Sequence, residues 1–242
     1  MLVGFFSDVH SNLEALEAVL EDFKKEKLDK FYFLGDAVGY GPNPNECVEL
    51  IQKVAGKHLM GNHDYAALDM MGTNWFNQYA KEAIEWTKKN LSEKNHQTIS
   101  TYLMDYRFDN FHLVHSTPKE PENWDYIFSL DEAEENFSFF NRQVCLIGHS
   151  HRPFIIKKYQ TRHCFLVDEN EVKLEEQHRY LINIGSVGQP RDGDNRSCYL
   201  FYDDQKKILR LKRVPYDMKK TQKKMKKAKL PQFLIDRLVL GR

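Results

Sequence analysis

Short apolar runs separated by helical spacing predict an α/β chain, with two β-sheets and helices outside them. Three observations carry this expectation. The runs LVGFF (2–6), FYFL (31–34), FHLVH (111–115), VCLIG (144–148) and YLINIG (180–185) are nearly continuous, as strands buried on both faces should be. Between the first two, Leu13, Leu16, Val19, Leu20 and Phe23 recur at helical spacing and form one apolar face. From Phe154 to Arg213 the chain breaks into short β-type segments, which we read as a second, mixed sheet.

The elements follow in order. After LVGFF, Ser11 with Glu14 gives the S-x-x-E pattern of a capping box and opens the first helix. FYFL then leads into the turn-rich GDAVGYGPNP (35–44). A second helix starts near Pro44, where a missing N–H costs nothing, and carries Cys47, Val48, Leu50 and Ile51. The region from Tyr65 to Leu91 reads as mostly helical, with Ala80, Ala83, Ile84 and Leu91 on its buried side. The run MKKTQKKMKKAK (218–229) reads as a solvated helix, with Met218 and Met225 on a buried stripe and the lysines in water. With no repeat, low-complexity tract or linker, residues 1–242 are expected to form one domain.

Composition narrows the function. Lys+Arg and Asp+Glu both number 35, so no global field draws the chain to nucleic acid or an acidic membrane, and any anion site must be local. Cys47, Cys145, Cys164 and Cys198 show no CxxC spacing and lie mostly in apolar runs, which reads as reduced core thiols. No apolar run is long enough to span a membrane and LVGFF is too short for a signal sequence, so a cytoplasmic protein without membrane partners is expected.

Polar residues cluster where the apolar runs stop. Asp8 and His10 follow LVGFF, Asp36 follows FYFLG, and Asn62, His63 and Asp64 follow HLMG. His115 ends FHLV, and His149 and His151 follow VCLIG. The crevice at the carboxyl ends of the strands is where open α/β sheets bind ligands, so five stretches would deliver Asp, His and Asn to one place. In an extended chain residues i and i+2 point the same way, which would pair Asp8 with His10 and His149 with His151. Oxygen and imidazole donors without thiolate suit Mn²⁺, Fe or Zn²⁺.

The motifs DVH (8–10), GDAVG (35–39), GNHD (61–64), the isolated His115 and GHSH (148–151) resemble the signature of the calcineurin-like metallophosphoesterases. NIGSVGQPRDGD (183–194) is similar to the GS-G-PR loop of the small bacterial, phosphodiesterase-type branch. The second glycine of GDAVG stands where many relatives carry aspartate, which points away from the phosphoprotein phosphatases. The resemblance implies a four-layer αββα sandwich of two mixed sheets flanked by helices. It also implies two divalent ions, with Asp8, His10 and His151 on one, Asn62, His115 and His149 on the other, and Asp36 bridging them. His63 would be the catalytic histidine and Asp64 would orient it. A carboxylate bridge would hold the ions about 3.5 to 4 Å apart around a shared water, which would attack phosphorus as hydroxide while His63 protonates the leaving group.

Small phosphodiesters or nucleotides are the expected substrates, with a phosphomonoesterase or protein phosphatase on the same residues as the alternative. Arg191 is the candidate substrate-binding residue, a guanidinium clamp for phosphate; the competing reading is a loop arginine paired with Asp192 or Asp194. Trp124 and Tyr126 could stack on a base or aryl group, although at least one is expected in the core; Tyr40 and Trp75-Phe76 are weaker candidates. A non-catalytic scaffold of this fold should have degraded ligands, whereas here all seven positions are filled and His63 is kept. A nuclease would normally show a wider basic surface or a capping domain.

Overall fold

Twenty helices and strands order this chain in a computed structural model that describes residues 1–242. They are β1 (Leu2–Phe6), α1 (Leu13–Lys25), β2 (Lys30–Phe33), α2 (Pro44–Val54), β3 (Lys57–His58), α3 (Asn62–Ala67), α4 (Gln78–Asn90), α5 (Glu93–Ile99), β4 (Asp105–Phe108) and β5 (Phe111–Val114). Then come α6 (Leu130–Asn136), β6 (Val144–Ile147), β7 (Phe154–Tyr159), β8 (Phe165–Val167), β9 (Glu171–Lys173), β10 (His178–Asn183), β11 (Ser197–Asp203), β12 (Ile208–Val214), α7 (Met218–Lys227) and α8 (Gln232–Leu240).

The strands form two mixed six-stranded sheets, ordered β3-β2-β1-β11-β12-β9 and β4-β5-β6-β10-β7-β8. Each has a parallel trio, β3-β2-β1 in the first and β5-β6-β10 in the second, extended by antiparallel strands. The late strands therefore do not build a sheet of their own, as their clustering in sequence suggests. β9, β11 and β12 complete the first sheet, and β7, β8 and β10 the second.

Side-chain alternation explains the layers. On β1, Val3 and Phe5 enter the core between the sheets, while Phe6 faces the core under α1 and α2 with Phe23, Val48 and Ile51. On β6, Val144 and Leu146 face the first sheet, and Cys145 and Ile147 face α6 with Ala133 and Phe137. Phe5 and Phe111 meet across the inner layer with ring centroids 5.4 Å apart. Strands clothed on both faces need no polar alternation, which is why the runs read as continuous. All four cysteines are free and buried.

Two local readings change. The cap of α1 is Asn12, whose Oδ1 accepts from the Ala15 N–H at 3.2 Å; Ser11 Oγ is buried without a partner, and Glu14 turns to Lys224 (2.6 Å) and Lys220 (3.2 Å) of α7. The lysines of 218–229 stand mostly in water and Met225 is buried, as the pattern suggests, while Lys220 and Lys224 also reach Glu14 and so tie α7 to α1. Helix does not run through 65–91: α3 ends at Ala67 and α4 begins at Gln78, with a 3₁₀ turn at Thr73–Trp75 between them.

Asn12 also donates from Nδ2 to the Gly188 carbonyl (2.8 Å), tying the β1–α1 turn to the β10–β11 loop. We expect Asn12→Ala to cost about 2 kcal/mol, a lost cap plus an unpaired buried carbonyl, and Ser11→Ala to stay within about 0.5 kcal/mol. Urea midpoints of the two variants check this, and the reverse order would return the cap to Ser11.

Candidate metal centre

Each predicted ligand sits where a strand stops or a helix starts. Asp8 and His10 follow β1, Asp36 follows β2, Asn62 opens α3, His115 follows β5, and His149 and His151 follow β6. The backbone at these turns is not extended, as the i, i+2 spacing suggests. Asp8 (φ 55°), His10 (48°), Asp36 (61°), His149 (64°) and His151 (58°) are left-handed. Such a conformation costs a non-glycine residue on the order of 1 kcal/mol or more and persists only where the surroundings impose it. Tight turns, not strand pleating, bring the side chains together.

Backbone carbonyls orient the imidazoles. Nδ1 of His10 donates to Val38 (3.0 Å), that of His115 to Leu34 (2.8 Å) and that of His151 to Gln189 (2.6 Å), which leaves Nε2 free in each. His149 is turned the other way: Nε2 donates to the Trp124 carbonyl (2.8 Å) and Nδ1 is its free donor atom. The carboxylates are each pinned by one oxygen, Asp8 Oδ2 by the His149 N–H (3.1 Å) and Asp36 Oδ1 by the His63 N–H (2.8 Å). Their other oxygens face imidazole. His151 Nε2 lies 3.2 Å from Asp8 Oδ1, and His115 Nε2 and His10 Nε2 lie 3.3 and 3.5 Å from Asp36 Oδ2.

These atoms fall into two buried groups, Asp8, His10, Asp36 and His151, and Asp36, His115 and His149, with the donor atoms of each group within 4.8 Å of one another. Asp36 belongs to both. Burial holds His10 and His151 well below the ordinary histidine value, so both rings are neutral and their Nε2 atoms carry lone pairs. Those two atoms are 3.0 Å apart. Lone pairs at that distance repel unless a cation lies between them. Asp8 Oδ1, Asn62 Oδ1 and His115 Nε2 are also buried with no hydrogen-bond partner, a condition that costs about 1 to 3 kcal/mol per group unless an ion compensates it. The residues fit divalent metal.

His63 lies against this cluster. Its ring stacks on Phe76 (4.8 Å, 17°) and packs against Tyr40 (4.4 Å) and the edge of His10 (4.8 Å). Gly39, at φ 91°, makes room for it, since a Cβ there would strike His63 Nδ1. Burial lowers His63 to about 4; Asp36 pulls upward, and Arg191 and His115 push down. The ring is neutral at pH 7. No hydrogen bond joins the Asp64 carboxylate to the His63 ring. The carboxylate accepts from the backbone N–H groups of Asp36 (2.8 Å), Ala37 (2.9 Å), Val38 (3.2 Å) and Gly61 (3.1 Å), so it shapes the turn that carries Asp36.

Arg191 is not paired with Asp192 or Asp194, which go to Arg213 and Arg196. Its guanidinium donates to Gln189 Oε1 (2.8 Å) and lies 5.5 Å from the centre of the Tyr40 ring, beside His63. Neither Trp124 nor Tyr126 is in the core: Tyr126 is 44% exposed, and its ring stacks on His149 at 4.1 Å. Trp75 projects into solvent. Arg237 of α8, which the sequence reading does not single out, comes near Arg191 and Tyr40. Burial, and then the field of Arg191, lower it to about 10, still charged at neutral pH. No local motif marks it, because only the packing of α8 against Tyr40 and α4 brings it there. The orienting carbonyls of Leu34, Val38, Trp124 and Gln189 carry no signal either, since any residue type supplies one.

The chain is 40% identical to the uncharacterized protein MJ0912 of Methanocaldococcus jannaschii over 245 residues, covering 100% of this chain and 98% of that one. Its structure is similar to that of a metallophosphoesterase from Sphaerobacter thermophilus, with a TM-score of 0.88, 36% identity and coverage of 100% and 99%. PH1004 of Pyrococcus horikoshii OT3 shares the fold, with a TM-score of 0.81 at 18% identity over 100% of this chain and 98% of that one. Residues 1–206 match the calcineurin-like phosphoesterase superfamily domain, and the chain belongs to that family.

Proposed function

We propose that the protein is a dinuclear metal-dependent phosphoesterase acting on small phosphodiesters or nucleotides. The observation that carries this reading is the sharing of Asp36 by two ligand groups. Asp8, His10 and His151 would hold one cation, Asn62, His115 and His149 the other, and Asp36 both. When bound, two divalent ions supply Lewis acidity at the phosphoryl group and make water nucleophilic at neutral pH; Mn²⁺ is the ion we favour, with Fe and Zn²⁺ also compatible with these donors. Arg191 supports the phosphoryl oxygens from the Tyr40 side, and His63 offers a ring N–H to the leaving oxygen. No side chain need form a covalent bond to phosphorus.

The second reading, a phosphomonoesterase or protein phosphatase, draws on Arg237. Two guanidinium groups near Tyr40 would suit a dianion better than one. Turnover of an aryl phosphodiester and the matching monoester with Mn²⁺ supplied separates the two. We expect the diester to be hydrolysed at least as fast, and a strong preference for monoesters across several leaving groups would give the second reading the better claim.

A further inference from the structure

We infer that the loop 126–130, with the start of β7 and with β8, forms a subsite for a planar aromatic group of the substrate, an aryl ring or a nucleobase. The inference rests on the phosphoesterase reading above and deepens it. Tyr126 stacks on His149 (4.1 Å, 18°) and on Phe128 (5.1 Å, 10°), so an aromatic path leads from a candidate metal ligand to the surface. Phe128 borders a cavity of about 310 Å³ whose walls include Ile127, Phe154, Ile156 and Leu166. That is the size and lining of a small-ligand site. Arg152, next in the chain to His151, borders the same cavity; its guanidinium lies 5.6 Å from the Phe128 ring centre and donates to the Arg191 carbonyl (3.2 Å). The cavity thus approaches the candidate metal ligands on two sides, with the Tyr126 ring between Phe128 and His149 and with Arg152 directly after His151.

Exposure supports an occupant. Phe128 is 61% exposed and Leu166 52%, and neither is needed to fill the core. An apolar cavity with a guanidinium at its rim suits a flat ring better than a sugar or a peptide side chain, since a ring can use both the apolar wall and the cation. The ring would belong to the ester group remote from or at the bond that breaks, with phosphorus held at the His and Asp cluster.

Calorimetric titration of the Mn²⁺-loaded full chain with phenylphosphonate and with methylphosphonate tests this. The phenyl compound should bind roughly tenfold more tightly. Phe128→Ala and Leu166→Ala, both at exposed positions, should each bring that ratio below about 3. A wild-type ratio near one, a ratio that survives both substitutions, or no binding of either phosphonate overturns the subsite. So does a chain that is dimeric by size exclusion and becomes monomeric in Phe128→Ala with the ratio intact, because the patch is then an interface between copies. Hydrolysis of methyl nitrophenyl phosphate is measured alongside. A protein that hydrolyses no ester yet keeps the phenyl preference loses the proposed activity and retains the subsite.

Discussion

Asp36→Asn is expected to lower kcat/KM by about 10³-fold, some 4 kcal/mol of transition-state stabilisation, and to cut bound metal from about two ions per chain to one or fewer. The amide keeps the shape of the side chain and can still accept the His63 N–H through Oδ1. What it loses is the negative charge shared by the two ligand groups. Two divalent ions held by these groups would repel each other, and the Asp36 carboxylate, common to both groups, would offset this for both at once. His58→Ala, His96→Ala and His178→Ala should each change turnover less than about threefold. His58 meets the Ile51 carbonyl and stacks on Tyr102, His96 lies on α5, and His178 pairs with Glu175. Elemental analysis and kinetics on the same samples check the set. Equal losses in all four variants, or a wild type that never takes up more than one ion, would remove the bridged pair.

His63→Ala should lose turnover according to how badly the leaving oxygen needs a proton. On an alkyl or nucleoside ester the loss should be about 10² to 10⁴-fold; on a nitrophenyl ester, whose anion leaves unaided, it should be roughly tenfold or less. The ring packs among Tyr40, Phe76 and His10, and its Nδ1 has no partner, so removing it breaks no hydrogen bond of the side chain. Metal content must stay near that of the wild type, since Asn62 is the adjacent residue. A metal-replete variant with the same loss on both leaving groups would reassign His63 to holding a phosphoryl oxygen. The resting ring is neutral, pushed down to about 4 by burial, so the acid role depends on the approaching phosphate restoring a proton. A ring that only donates a hydrogen bond to a non-bridging phosphoryl oxygen would cost both esters alike, which makes the comparison decisive.

The His and Asp cluster was legible in the sequence because its members are side chains, each following an apolar run. DVH, GDAVG, GNHD, His115 and GHSH name their chemistry by residue type, and a strand buried on both faces announces itself by continuous apolar character. The amphipathic α1 and the opening of α2 at Pro44 were legible for the same reason, a periodicity written into one local segment. Strand partners were not. β11 and β12 form a local hairpin, but β11 pairs with β1, and β10 with β6, across stretches of chain that no local pattern spans. The cap of α1 went to Asn12 rather than Ser11 because Gly188 and Thr221, far along the chain, hold the Asn12 amide in place. Asp64 turned from His63 to four backbone amides because the folded Asp36 turn presents them together. The left-handed turns that converge the ligands, the carbonyls that select each imidazole nitrogen, and the approach of Arg237 are likewise decisions of packing. Sequence by itself determined which side chains could supply metal-binding atoms. The tertiary structure decided which way they face, because orientation depends on hydrogen-bond partners that only long-range contacts supply.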